Sequence, residues 1–176
     1  MVQETKVALI TGGTSGIGLE IAKVLAAKGW TTHLLGRNEA NGRAAAAGVT
    51  NAHFHRADVT DYGSLAEAFD AAFRASGRFD FVFANAGIME RTNFYAPVDA
   101  LPPPEPDFSM IDAGFKSFIH TAYLAQHYFR ASPRSKDQDR VLLFHSSCTG
   151  LVSSRLSPTP SLTPPTRSAF EGSRNY

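Results

Sequence analysis

A glycine-rich turn is the part of this sequence whose residue types and spacing most directly predict chemistry. The segment TGGTSGIG occupies residues 11–18, after an apolar run and before a stretch of helical periodicity. In that context Gly12 can make a tight turn, Gly16 lets the backbone approach a pyrophosphate, and Gly18 lets a helix pack close to a strand. The helix N-terminus offers free N–H groups and a positive dipole to an anion. We predict a dinucleotide-binding turn; the alternative is a glycine turn with only a structural role.

The elements that must position this turn alternate between apolar runs and helical stretches, the pattern of βαβ units. Strands are predicted at residues 6–11, 31–36, 52–58, 79–87 and 140–146, and helices at 18–29, 38–48, 64–77 and about 108–130. The first helix is predicted to end at Gly29 and to bury Leu19, Ala22, Val24, Leu25 and Ala26. Right-handed crossovers then predict an α/β fold, a doubly wound parallel sheet of order 3-2-1-4-5.

The chain divides by composition into a predicted dinucleotide-binding domain, residues 1–152, and a Ser/Thr/Pro-rich irregular tail, residues 153–176. Prolines lack an N–H donor and fix φ, so the tail cannot form a continuous helix or a central strand. The four prolines concerned are Pro158, Pro160, Pro164 and Pro165.

Charge and composition narrow the class of protein. The formal net charge is +1 and no basic run stands out, which disfavours nucleic acid or an anionic membrane as the main partner. No apolar run approaches the ~20 residues of a membrane span, and the N-terminus lacks the pattern of a signal peptide. The single cysteine, Cys148, cannot form an internal disulfide. We therefore expect a cytoplasmic protein without a metal site.

The glycine turn resembles the T-G-x-x-x-G-x-G motif of the short-chain dehydrogenase/reductase family. Thr11, Gly12, Gly16 and Gly18 match it, and Ile17 fills the usual apolar position. The three-residue gap after Gly12 is similar to the non-extended oxidoreductase branch rather than to the extended nucleotide-sugar epimerases. The lineage resembles fungal enzymes of specialised metabolism, and the resemblance implies a Rossmann-type sheet.

Three further residues take cofactor-binding roles by this resemblance. Asp58, in the run DVT, should contact the adenine, and Asn85, in the run NAG, should line the cofactor cleft. Lys116 keeps the lysine of the family pattern I-D-x-N-L-K-G and is expected to approach the cofactor.

The end of the second predicted strand bears on which cofactor binds. An acidic residue there accepts the ribose hydroxyls of NAD, whereas an arginine can pair with the extra phosphate of NADP. This chain has Gly36, Arg37 and Asn38. We predict NADP(H); the alternative is that Arg37 is a solvated surface cation.

In the family, a serine polarises the substrate oxygen, a tyrosine is the general acid/base, a lysine four residues later lowers the tyrosine pKa, and a helical asparagine supports a proton relay. Ser147 takes the serine position, with Ser146 as the weaker candidate. Gly114 stands at the asparagine position. A glycine has no side chain to organise a water molecule.

The family's tyrosine and lysine have no counterpart in either of the two possible alignments of this chain with the family pattern. Family spacing from Ser147 reaches Pro160 and Pro164, and alignment on TRSAFEG reaches Thr163 and Arg167. None of the five tyrosines has a lysine four positions on. We therefore expect an altered or truncated form that ends before the family's next helix, last two strands and substrate lid, with an exposed fifth strand prone to self-association.

Two functions follow as hypotheses. The first is an NADP(H)-dependent oxidoreductase that interconverts a secondary alcohol and a ketone. The second is a non-catalytic NADP(H)-binding protein or a partner of an intact homologue, which the missing tyrosine and lysine favour.

Overall fold

The computed structural model describes residues 5–88, 97–133 and 140–144. The strands are β1 (Val7–Thr11), β2 (Thr31–Gly36), β3 (Ala52–Arg56), β4 (Phe81–Ala84) and β5 (Val141–Phe144). The helices are α1 (Gly16–Ala27), α2 (Glu39–Ala47), α3 (Tyr62–Ser76), α4 (Ser109–Ile111) and α5 (Ser117–Ala131), and a π-helical segment, Asp112–Lys116, joins the last two. The tail and Ser147 lie outside the described residues, so the predicted boundary at residue 152 stays a prediction.

The five strands form one parallel sheet of order β3-β2-β1-β4-β5. This confirms the predicted order 3-2-1-4-5 and the α/β class. Because every strand runs in the same direction, the carboxyl ends of β1, β2, β3 and β4 meet at one edge, where doubly wound sheets bind ligands.

Buried side chains cover both faces of this sheet, as parallel sheets require. On one face, Phe69 of α3 and Leu124 of α5 pack with Leu9 and Phe79. On the other, Ala22 of α1 packs with Ile10 and Leu34, together with partly buried Leu19 and Leu25. The inward position predicted for Val24 is wrong: its side chain is 53% exposed. Residue 24 lies about 200° around the helix from Ala22, on the side away from the sheet.

β3 and β4 are shorter than predicted because side-chain oxygens accept backbone N–H groups just beyond the ends of these strands. β3 ends at Arg56, and the N–H of Asp58 donates to Ser64 Oγ at 3.0 Å. β4 ends at Ala84, and the N–H of Asn85 donates to Thr11 Oγ1 at 3.0 Å. Helix α1 stops as predicted, since Gly29 follows it with φ +82°.

The long helix predicted over about 108–130 is interrupted by the π-helical segment. A glycine lies at its centre, and the Oγ of Ser117 donates to the carbonyl oxygens of Ala113 at 2.7 Å and Gly114 at 2.9 Å. Glycine weakens helical continuity, and a hydroxyl bound to preceding carbonyls competes with the regular backbone bonds. The helix therefore widens at Gly114, beside the ligand edge of the sheet.

β5 is an edge strand, with Val141, Leu143 and Phe144 each more than 40% exposed. Its start is tied to the end of α5, where the guanidinium of Arg140 donates to the carbonyl oxygens of Phe129, Ser132 and Pro133. The predicted self-association through this edge stays a prediction.

Candidate nucleotide-binding cleft

A cleft of about 320 Å³ opens at the carboxyl edge of the sheet. The turn after β1, the ends of β2 and β3, the run after β4 and the π-helical segment all contribute to its walls. The lining residues are Gly12, Thr14, Ser15, Leu35, Gly36, Arg37, Asn38, Ala57, Asp58, Val59, Thr60, Asn85, Ala86, Gly87, Ile88 and Ala113.

The glycine turn has a shape that only glycine accommodates readily. Gly12 and Gly16 have φ values of +65° and +53°, in the left-handed region where L side chains are strained. A Cβ on Gly12 would lie 2.9 Å from the Cα of Ala86, so the turn packs directly on the run after β4. Gly18 is buried, and a Cβ there would lie 2.4 Å from the carbonyl oxygen of Gly12. The predicted close packing at Gly18 is thus present.

The N-terminus of α1 faces this turn without a capping side chain. Ser15 occupies the N-cap position but makes no side-chain capping bond, and the first turn contains no acidic residue. The N–H of Leu19 donates to the carbonyl of Ser15 at 3.2 Å, so the N–H groups before Leu19 precede the regular helical bonds. The helix dipole and these N–H groups are available to an anion in the cleft.

The hydroxyl of Thr11 joins the two central strands at the floor of the cleft. Its oxygen accepts N–H donors from Asn85 at 3.0 Å and Ala86 at 3.1 Å. The side-chain amide of Asn85 donates in turn to the carbonyl oxygens of Thr11 and Gly12, both at 3.3 Å. These bonds hold the glycine turn and the run after β4 in one arrangement.

The rim at the end of β2 is positively charged. Arg37 lines the cleft and makes no hydrogen bond or ion pair with any described residue. Asn38 caps α2, since its Oδ1 accepts the N–H of Asn41 at 2.9 Å. The nearest carboxylate along the chain, Glu39, is bound by the Nη2 of Arg43 at 2.6 Å. The Asn38 Oδ1 is thus occupied as a helix cap, and the one carboxylate near this rim is already paired with a cation through its Oε1.

Asp58 is the only carboxylate among the described lining residues. Its Oδ1 accepts the N–H of Thr60 at 2.9 Å and the hydroxyl of Thr60 at 2.8 Å. The backbone bond is the largest influence that lowers the pKa of Asp58; the Thr60 hydroxyl and the charge of Arg37 act in the same direction against partial burial. Asp58 is therefore an oriented, ionised hydrogen-bond acceptor in the cleft at neutral pH.

A known protein family matches most of the chain. The family model described as short chain dehydrogenase matches residues 6–155, most of the chain. The chain belongs to the short-chain dehydrogenase/reductase family.

Fungal members of this family are among its relatives. The short-chain dehydrogenase/reductase prx7 of Penicillium rubens is 46% identical over 149 residues, which are 81% of this chain and 52% of that protein. The short-chain dehydrogenase/reductase ATR7 of Stachybotrys chlorohalonatus is 36% identical and covers 90% of this chain and 47% of its own length. The chain thus spans about half the length of the curated relatives it matches.

A solved reductase shares the fold. The 3-ketoacyl-(acyl-carrier-protein) reductase of Brucella melitensis, determined in complex with NADH, superposes with a TM-score of 0.71 at 27% identity. The match covers 83% of this chain and 59% of the reductase.

Not every residue predicted for the short-chain dehydrogenase site lies in the cleft. Gly12, Arg37, Asp58 and Asn85 line it, and Gly18 packs beneath it. Gly16 lies in the turn but outside the lining, and Ile17 is 54% exposed. The roles assigned to all of these residues in cofactor binding stay predictions.

Lys116 is not brought into the cleft. Its Nζ lies 3.5 Å from an Asp112 carboxylate oxygen, one turn earlier along the π-helical segment, and half of its side chain is exposed. Ala113 of the same segment does line the cleft. The approach of Lys116 to a cofactor stays a prediction, as does the role of Ser147.

Sequence reasoning missed several lining residues. Thr14 packs against Gly36, where a Cβ would lie 2.8 Å from the Thr14 side chain. Thr60 orients Asp58. Two sequence signals were available for these residues: Thr14 is a polar residue inside the glycine motif, and Thr60 follows an aspartate by two positions. Among the described residues, no group of His, Cys, Asp and Glu is arranged to hold a metal ion.

No helix in the described part of the chain has the length and apolar character needed to cross a membrane.

Proposed function

We propose that this chain is the NADP(H)-binding part of a short-chain oxidoreductase that interconverts a secondary alcohol and a ketone. The observation that carries the choice of NADP is the position of Arg37, which lines the cleft at the end of β2 and has no ion-pair partner among the described residues. A guanidinium can bind a phosphate through two parallel hydrogen bonds. Glu39, the first carboxylate after β2 along the chain, is paired with Arg43.

The residues of the cleft fit a dinucleotide. The positive φ of Gly12 and the uncapped N-terminus of α1 suit a pyrophosphate. Asp58 offers an ionised acceptor for the exocyclic amine of the adenine. Asn85 holds the run after β4 against the turn and so shapes the inner end of the cleft. When bound, the nicotinamide supplies or accepts the hydride.

Two candidate functions differ in whether this chain supplies the proton that the reaction needs. Reduction of a ketone leaves an alkoxide that must be protonated, and the family uses a tyrosine assisted by a lysine. None of the tyrosines in this chain, which are Tyr62, Tyr95, Tyr123, Tyr128 and Tyr176, has a lysine four positions on. A second candidate is a non-catalytic NADP(H)-binding protein, which needs no such pair.

One experiment separates the two. The full chain is titrated with NADPH by fluorescence, and a panel of ketones is then added while NADPH oxidation is followed. Steady oxidation that Ser147→Ala abolishes supports the oxidoreductase. Saturable binding without oxidation supports the non-catalytic protein. Absence of NADPH binding contradicts both.

Localisation of a fluorescent fusion would test the proposed cytoplasmic location.

A further inference from the structure

Arg56, the last residue of β3, lies next to the cofactor rim without belonging to the cleft wall. In the parallel register it is paired with Gly36, the residue that precedes Arg37. It is exposed and forms no hydrogen bond or ion pair with any described residue.

The side chain of Arg56 is on the same side of the sheet as α2. Side chains alternate along a strand, so residues 54 and 56 face the same way. Phe54 packs on α2, since a Cβ on Gly42 would lie 2.1 Å from its ring. The pKa of Glu39 at the start of α2 is lowered mainly by its hydrogen bond to Arg43, and the charge of Arg56 also lowers it. The guanidinium of Arg56 thus contributes to the electrostatic field at the start of α2, directly after Arg37 and Asn38.

The corner formed by the ends of β2 and β3 and the start of α2 carries an excess of positive charge. Arg43 binds Glu39 and the charge of Arg56 also acts on it, while Arg37 acts on Asp58, so three guanidinium groups face two carboxylates. Arg37 is partly offset by Asp58, whose pKa is lowered chiefly by Thr60 and also by Arg37. A phosphate monoester carries close to two negative charges at neutral pH. One arginine that is partly offset leaves such a group incompletely neutralised.

We propose that Arg56 is a second specificity-determining residue for NADP(H), and that it binds the 2′-phosphate together with Arg37. This inference rests on the proposed function, because it concerns the same nucleotide. The chain as a whole has a net charge of only +1, so the excess of arginine at this corner is a local feature.

The test compares NADPH with NADH in fluorescence titrations of the full chain. Arg56→Gln is expected to weaken NADPH binding about tenfold, the size of one charge-assisted hydrogen bond, and to change NADH binding less than twofold. Arg56→Lys should retain part of the preference, since a lysine keeps the charge but not the planar fork. The matched control is Arg74→Gln on α3, which removes the same charge from an exposed ion pair with Asp70 and should change neither affinity.

The possible failures are distinguishable. If Arg37→Gln lowers the ratio of NADPH to NADH affinity and Arg56→Gln does not, this inference is overturned and the proposed function stands. If the wild-type chain binds NADPH no better than NADH, the proposed choice of NADP fails and this inference fails with it. Circular dichroism of each variant verifies that the exposed substitution leaves the chain folded.

Discussion

The α-carbon of Gly18 faces the carbonyl oxygen of Gly12 so closely that a Cβ at residue 18 would lie 2.4 Å from that oxygen and 2.8 Å from the Asn85 amide nitrogen. The first turn of α1, the glycine turn and the run after β4 therefore form one packed unit. The cleft keeps its shape only while no side chain is present at that point.

Substitution at Gly18 should consequently destabilise the protein. We expect Gly18→Ala to lower the free energy of unfolding by about 2–3 kcal/mol, because a backbone carbonyl must shift to admit the methyl group. Urea unfolding measures this loss. Gly77→Ala is the control: Gly77 also has a positive φ, +71°, but a Cβ there meets nothing within 4 Å, so it should lose only about 1 kcal/mol. Equal losses in the two variants would contradict the close packing at Gly18.

The Thr11 hydroxyl gives a second prediction. Thr11→Val removes the oxygen that accepts the N–H groups of Asn85 and Ala86, at 3.0 and 3.1 Å. We expect a loss of about 2 kcal/mol in the free energy of unfolding, since two partly buried donors would be left without their acceptor. Thr11→Ser keeps the oxygen and should remain within about 1 kcal/mol of the wild type. A valine variant as stable as the serine variant in urea unfolding would show that these bonds contribute little.

Reversing the charge at Arg37 should reverse the preference between cofactors. In Arg37→Glu a carboxylate replaces the guanidinium at the end of β2, and carboxylates at this position accept ribose hydroxyls. We expect NADPH binding to weaken at least about tenfold while NADH binding is kept or strengthened. Fluorescence titration with both nucleotides measures the ratio, with Arg74→Glu as the control. An unchanged ratio of NADPH to NADH affinity would show that Arg37 is a solvated surface cation without a role in the choice of cofactor.

A buried histidine gives the protein a dependence on pH. His33 in β2 is fully buried, and its ring nitrogens are hydrogen-bonded to His55 Nε2 at 2.8 Å and Ser76 Oγ at 2.7 Å. Burial, followed by the charges of His55 and His53, lowers the pKa of His33 from 6.5 to about 3. The unfolded chain takes up this proton near pH 6.5, but the folded chain resists it.

With respect to this group, the folded protein is therefore most stable above pH 6.5. Its free energy of unfolding falls as the pH drops from 6.5 toward 3. The free energy of unfolding should decrease by up to about 1.4 kcal/mol per pH unit in that range for this one group. Burial also lowers the pKa of His55, which adds in the same direction. Urea unfolding at pH 7.5 and 5.5 measures the slope. His33→Asn should flatten it and His127→Asn, at an exposed position, should not. The same slope in His33→Asn and the wild type would remove His33 as its cause.

Local patterns were sufficient to predict the strand order and the main features of the glycine turn. Alternating strands and helices with right-handed crossovers leave few topologies, and the spacing of Gly12, Gly16 and Gly18 has a local meaning. The outward position of Val24 follows from its angle around the helix, which a count of apolar residues does not take into account. The π-helical segment depends on the bonds of the Ser117 hydroxyl to preceding carbonyls, which helical periodicity does not encode. The contact of His33 with Ser76 joins residues 43 positions apart, and no periodicity encodes such a pair.

We have proposed that the cleft at the carboxyl edge of the sheet binds NADP(H). Isothermal titration calorimetry of the full chain with NADPH tests it most directly, with Gly18→Ala and Gly77→Ala measured in parallel. We expect saturable binding of one NADPH per chain, retained in Gly77→Ala and lost or weakened at least about tenfold in Gly18→Ala. A folded wild-type chain that shows no saturable heat with NADPH would mean that this cleft does not bind NADP(H).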